Sequence, residues 1–255
     1  MQKLPAILAV KHALNAVLQF RIAGMRIGLP WILALTGINI LDLLYFSKAD
    51  PMVEDQSQIM VFPPAHIIIA ALSLIVFSSI AVNWHRYILL DEITVSEKIF
   101  RLDRPVWEYA GRTFLIMLIA FMPTYLISAI LFKTMPTFSL LLAIPFVVAG
   151  VFIMRMSVAL PAIALYRKDI GIIAALRITQ GNNWQFAGLL ALNAMIVFAT
   201  LLVLMVVVAV IAGASPTAAR ILAVALSVPA KLFLSLFSVS LLSSLYGFFV
   251  EKRKF

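Results

Sequence analysis

The chain has 255 residues, 64% of them hydrophobic and only 12% charged, whereas a soluble domain carries about 25% charged residues. The apolar excess runs along the whole length, which excludes a soluble domain with one core and points to an integral membrane protein. The formal charge of +9 comes without a basic patch interleaved with aromatics, so no nucleic-acid partner is expected, and the lack of cysteine excludes disulfides and thiolate sites.

Residues 1–21 have helical periodicity. Ile7, Val10, Leu14, Val17 and Leu18 share one face, and Lys11, Asn15 and Gln19 lie opposite. That pattern predicts an amphipathic helix in the headgroup region, with an extension of the first span as the alternative. Lys11 and His12 cut the apolar run short and no small-residue cleavage site follows, so a signal peptide is not expected.

About 20 apolar residues are needed to cross roughly 30 Å of hydrocarbon. Six stretches qualify: 24–46, 65–90, 108–132, 138–164, 184–212 and 230–250. The second ends in "AVNWHRYILLDE", residues 81–92, where Trp84 and Tyr87 read as interface anchors and Asp91 and Glu92 open a loop. Residues 93–102 predict a small hairpin or an irregular loop. Residues 169–181 predict a short surface helix, with Asp169 as N-cap, Ile170, Ile173 and Leu176 as its apolar stripe, and Gly181 at its end. Residues 213–230 predict a half-length helix started by Ser215, Pro216 and Thr217 and ended by Pro229. The alternative is one kinked helix of more than thirty residues, with Lys231 mid-membrane.

Orientation follows from the basic residues. Outside the spans, all Lys and Arg except Lys48, Lys133 and Arg220 fall on one side, and the longest opposite loop carries Asp50, Glu54 and Asp55. That asymmetry predicts both termini in the cytoplasm. The expected fold is therefore an all-α polytopic membrane helix bundle: one domain of six transmembrane helices, N-in and C-in, plus the N-terminal amphipathic helix and short interfacial helices.

No His-Glu-x-x-His, paired-Asp or phosphate-cradling glycine motif is present, so neither an enzyme nor a cofactor is expected. His66 and His85 are separated by roughly 28 Å along one helix and cannot share a metal. Ionisable groups inside spans are costly and informative. Asp42 and Lys231 would lie at similar depth and form a structural intramembrane pair. Arg155 lies two turns before Pro161, at the depth of Asn83, His85 and Arg86 and of the Asn182-Asn183-Trp184 corner. Together with Lys168, these eight residues are the candidate binding site for an anionic headgroup. Arg155 has two plainer partners: carbonyls freed by Pro161, or Asp91 and Glu92.

The segment "RMSVALPAIALYRKDIGIIAALRITQGNNWQFAGLL", residues 155–190, resembles the YciC-type bacterial inner-membrane proteins, and "SPTAARILAVALSVPAKLFLSLF" shares that resemblance. The first segment is also similar to the membrane regions attached to some glycerophosphodiester phosphodiesterases. The shared features are an arginine, a Pro-Ala turn, Lys168-Asp169, Leu-Arg-x-Thr, and an Asn with an aromatic entering the next span. The resemblance implies a six-span protein of the bacterial inner membrane and no activity, since no phosphodiesterase domain is fused to these residues.

The expected role is non-enzymatic: contact with membrane lipids, a membrane protein partner or a second copy through the basic cytoplasmic surface. The alternative is a small transporter of a lipid-like or amphipathic substrate, drawn from Pro30, Pro123, Pro145, Pro161 and Pro229 in or beside apolar segments.

Overall fold

The structure, a computed structural model, describes residues 3–41, 64–92, 100–134, 143–213 and 215–253. Among these residues the chain is all-helical. It runs α1 (Ala6–Gln19), α2 (Arg21–Leu41), α3 (Pro64–Leu90), α4 (Arg104–Thr134), α5 (Ala143–Ser157), α6 (Leu160–Ala164), α7 (Ile172–Ile178), α8 (Asn183–Ala212) and α9 (Pro216–Phe249). Six stretches are long and apolar enough to cross a membrane: Arg21–Ile40, His66–Leu90, Arg104–Lys133, Ala143–Ala164, Asn183–Ala212 and Ala218–Phe249. They mark a multi-pass membrane protein. Asp42, the expected partner of Lys231, lies outside the described residues, as do residues 93–99 of the segment read as hairpin or loop.

α9 is the hub, with α1, α2, α3 and α8 all packed against it, while α4 and α5 close the ring between α3 and α8. Gly24 and Gly28, one turn apart on α2, let that helix approach α9 closely. A β-carbon at Gly24 would lie 2.6 Å from Leu236 Cδ1, and one at Gly28 would collide with Leu232. Small residues four apart are a standard means of bringing apolar helices into contact where lipid supplies no hydrophobic drive.

Two expected breaks differ from the observed ones. The half-helix at 213–230 followed by a span at 230–250 is corrected to one continuous helix, with Pro229 inside α9. Proline removes one backbone hydrogen bond, but a full break in hydrocarbon would leave several backbone groups unsatisfied at two helix ends. Lys231 is exposed on α9, about 27 Å along the axis from Phe249. The span read as 138–164 is instead interrupted. After α5, Val158 and Ala159 donate to Arg155 and Met156 in tightened turns before α6 begins. The interruption is fully covered by protein, the condition under which irregular backbone is tolerated at such a position.

α1 packs a face of Ala9, Val10, Ala13, Ala16 and Val17 against its neighbours, leaving Ile7 and Leu18 exposed. The predicted apolar stripe therefore serves two surfaces. One flank meets α8 and α9, and the other is left for a lipid-like medium. α7 begins later than predicted. Gly171 is its N-cap, Asp169 pairs with Arg167 instead of capping, and Ile173 is 74% exposed. Trp84 is corrected from interface anchor to core: it is fully buried, and its indole N–H donates to Ser240 Oγ at 2.8 Å.

Candidate functional site

Charged side chains gather at the end of the bundle where α3, α6 and α9 finish and α4 and α8 begin. Arg155, in the last turn of α5, points into the corner between α7 and α8. Its Nε donates to Thr179 Oγ1 at 3.0 Å, Nη1 to Asn183 Oδ1 at 2.8 Å, and Nη2 to the Leu176 carbonyl at 2.7 Å. The guanidinium also lies 5.7 Å from the Phe152 ring centroid. Leu176 is in the last turn of α7, where carbonyls lack helical partners, so Arg155 completes a helix C-terminus. Thr179 passes its own proton to the Ala175 carbonyl at 2.7 Å, which leaves its oxygen free to accept from Arg155.

The structure brings Arg155 and Asn183 together and places the other predicted residues elsewhere. Asn182 Oδ1 accepts from the Leu4 backbone N–H at 2.9 Å, which ties down the segment before α1. Trp184 is 87% exposed beside Asn183. Asn83 Oδ1 receives Arg101 at 3.3 Å, and Arg101 also pairs with Asp103 at 2.9 Å. Arg86 pairs with Glu92, donates to the Ala164 carbonyl at 2.8 Å and lies over the Tyr166 ring at 5.2 Å. It therefore completes the C-terminus of α6 as Arg155 does that of α7.

His85 is fully buried, and its tautomer follows from its neighbours. Ser243 spends its single proton on the Val239 carbonyl at 3.1 Å, so the contact at 2.8 Å is His85 Nδ1–H donating to Ser243 Oγ. Nε2 is then the acceptor for the Tyr109 hydroxyl at 3.3 Å. The same logic applies to His12, whose Nδ1 lies 2.8 Å from Ser244 Oγ while Ser244 donates to the Ser240 carbonyl. Three serines of α9 thus each accept a ring N–H, from Trp84, His85 and His12. They act as interhelical ties, each worth about 0.6 kcal/mol on average in a membrane bundle.

Lys168 lies in a different setting. It lines a groove of about 470 Å³ with Arg104, Pro105, Glu108 and Arg112 of α4, Ile163 of α6, and Tyr166 and Arg167. Two of the cations there are neutralised locally: Arg104 by Glu108 at 2.6 Å and Arg167 by Asp169 at 2.8 Å. The Asp169 hydrogen bond holds Arg167 above its ordinary value, and reciprocally Arg167 holds the Asp169 carboxyl below its own. Arg112 and Lys168 have no acidic partner among the described residues. Sequence reasoning counted Arg104, Arg112 and Arg167 toward orientation without placing them in the site. The signal was the spacing of Arg104, Glu108 and Arg112 at i, i+4 and i+8, which puts them on one helical face.

Among the described residues no three His, Asp or Glu side chains come together as a metal site would require. Compared with protein-family models, curated proteins and solved structures, the chain matches none.

Proposed function

We propose that the protein is a non-enzymatic, multi-pass protein of a bacterial inner membrane, with both termini cytoplasmic, whose basic end holds anionic lipid headgroups of the cytoplasmic leaflet. The observation that carries this reading is the groove in which Arg112 and Lys168 face the same space without an acidic partner among the described residues, beside two pairs that cancel their own charge. A phosphodiester offers charged oxygens to both, the guanidinium as a fork and the ammonium as a point charge. Anionic lipids attract basic residues at the membrane surface by about 1 kcal/mol each. The choice of a bacterial inner membrane rests on the resemblance of residues 155–190 to YciC-type proteins. The predicted site is thereby relocated within the same end of the bundle: Lys168 remains in it, while Arg155 and Asn183 support the corner beside it.

The test is native mass spectrometry of the detergent-purified chain with dioleoyl-phosphatidylglycerol and dioleoyl-phosphatidylcholine. The intact protein retains the anionic lipid preferentially, and Arg112→Gln with Lys168→Gln lowers that retention about tenfold, the equivalent of about 1.4 kcal/mol. Equal retention of the two lipids by the intact protein would sink the reading.

A further inference from the structure

The seam along α4 carries the basic groove at one end and a separate, apolar one further along. α4 and α5 enclose a second groove of about 540 Å³, lined chiefly by Ile119, Pro123 and Ile127 from α4 and by Pro145, Val148 and Phe152 from α5. Thr124 also borders it, but its hydroxyl is bonded to the Ala120 carbonyl at 2.7 Å, so the side chain offers the groove no unsatisfied polar atom. Arg112 and Ile119 are seven residues apart, which places them on one face of α4 about 10.5 Å apart along its axis. On the opposite wall Met156 of α5 borders the apolar groove and Ile163 of α6, beyond the helix break, borders the basic one. Along α4 a charged groove is thus followed by an apolar one, in the order of a phospholipid's headgroup and chain.

We propose that this seam is a binding site for one intact anionic glycerophospholipid, its phosphate between Arg112 and Lys168 and an acyl chain in the α4–α5 groove. The proposal rests on the headgroup reading above and adds that the chain, and not only the charge, is recognised. Charge complementarity selects the occupant. A transmembrane partner helix would bring an apolar surface to a seam whose basic end asks for an anion. At about 10–12 Å across, such a helix would also cover a groove between two touching helices without entering it. A hydrocarbon chain enters such a groove, and the phosphate above it meets two cations that have no acidic partner among the described residues.

The test compares retention of dioleoyl-phosphatidylglycerol by the intact chain with that by Ile119→Trp, which fills the apolar groove. The control is Leu126→Trp, an exposed position of α4 that does not line the groove. Ile119→Trp lowers retention about tenfold and Leu126→Trp leaves it unchanged. Added glycerophosphoglycerol or inorganic phosphate at millimolar concentration fails to displace the lipid. Full displacement by either soluble anion assigns the site to the headgroup alone and overturns the proposal. So does unchanged retention in Ile119→Trp while Arg112→Gln with Lys168→Gln still loses the lipid, a result that leaves the headgroup reading standing. If the intact chain shows no preference for the anionic lipid, the headgroup reading itself falls and takes the proposal with it. A loss of dimer mass in Ile119→Trp with lipid retention intact would give the groove to a second copy and overturn the proposal.

Discussion

Two arginine-bearing regions at the same end of the bundle use the same chemistry for opposite purposes. At the α5–α7–α8 corner, Arg155 gives three hydrogen bonds to protein atoms and is only 8% exposed. In the α4–α6 groove, Arg112 and Lys168 line open space, and the nearby Arg104 and Arg167 are cancelled by their own carboxylates. A cation bonded to helix-end carbonyls replaces missing backbone partners and belongs to the scaffold. One without a counter-charge among the described residues is free to attract an anion from outside. Position on the charged side of the chain does not separate the two cases. The nature of the acceptor does.

The comparison breaks most sharply at Arg155. Arg155→Ala removes three charge-assisted bonds and leaves the Leu176 carbonyl and the Asn183 amide without that donor, which costs about 3 kcal/mol. The expected readout is a lower thermal midpoint in detergent together with faster amide exchange in residues 172–178. Arg155→Lys recovers only part of the loss, because an ammonium cannot reach three acceptors arranged around a planar fork. Unchanged exchange in α7 would show that the corner is held by packing alone.

A smaller effect is expected at Arg86, which divides its bonds between Glu92 and the Ala164 carbonyl. Arg86→Ala costs about 2 kcal/mol through the lost helix-end contact and ion pair. Glu92→Gln, which removes only the charge on the carboxylate, costs under about 1 kcal/mol, as a partly exposed pair should. Thermal unfolding of the two variants separates the contributions. Equal losses would mean that the pair, not the carbonyl, fixes the end of α6. By the same logic Arg112→Gln with Lys168→Gln changes the midpoint little, within about 0.5 kcal/mol, while lowering retention of the anionic lipid about tenfold.

The sequence made the six apolar stretches legible because each is about as long as a bilayer crossing needs, or longer. It made the convergence of Arg155 and Asn183 legible through their shared depth. It did not reveal which way each residue at that depth faces. Asn83, Trp84 and His85 are consecutive, so their side chains point 100° apart around α3. The first meets Arg101 while the other two meet serines of α9. Trp84 looked like an interface anchor because tryptophan at a span end usually is one. Its burial depends on Ser240, more than 150 positions away, whose hydroxyl receives the indole proton. The continuity of α9 was equally hidden. Pro229 carries a local signal to stop, and only the surrounding hydrocarbon makes two helix ends costlier than one imperfect helix.

The finest test of the comparison is to convert a cancelled cation into an available one. Arg167 holds the Asp169 carboxyl below its ordinary value of 3.8, chiefly by hydrogen bonding. Stability from that pair is therefore fully present above the ordinary aspartate value and is lost as pH falls through the lowered one. The pair is exposed, so its loss barely affects folding. The consequence lies in the groove. When Asp169 is protonated, Arg167 joins Arg112 and Lys168 as a third cation without a counter-charge among the described residues, whereas a lipid phosphodiester keeps its own. Asp169→Asn produces the same state at neutral pH. It should raise retention of dioleoyl-phosphatidylglycerol about twofold, a gain that shrinks as salt shortens the Debye length from about 10 Å at 0.1 M to about 3 Å at 1 M. Retention that falls in Asp169→Asn would show that the carboxylate positions Arg167 for the anion, not that it competes with the anion for it.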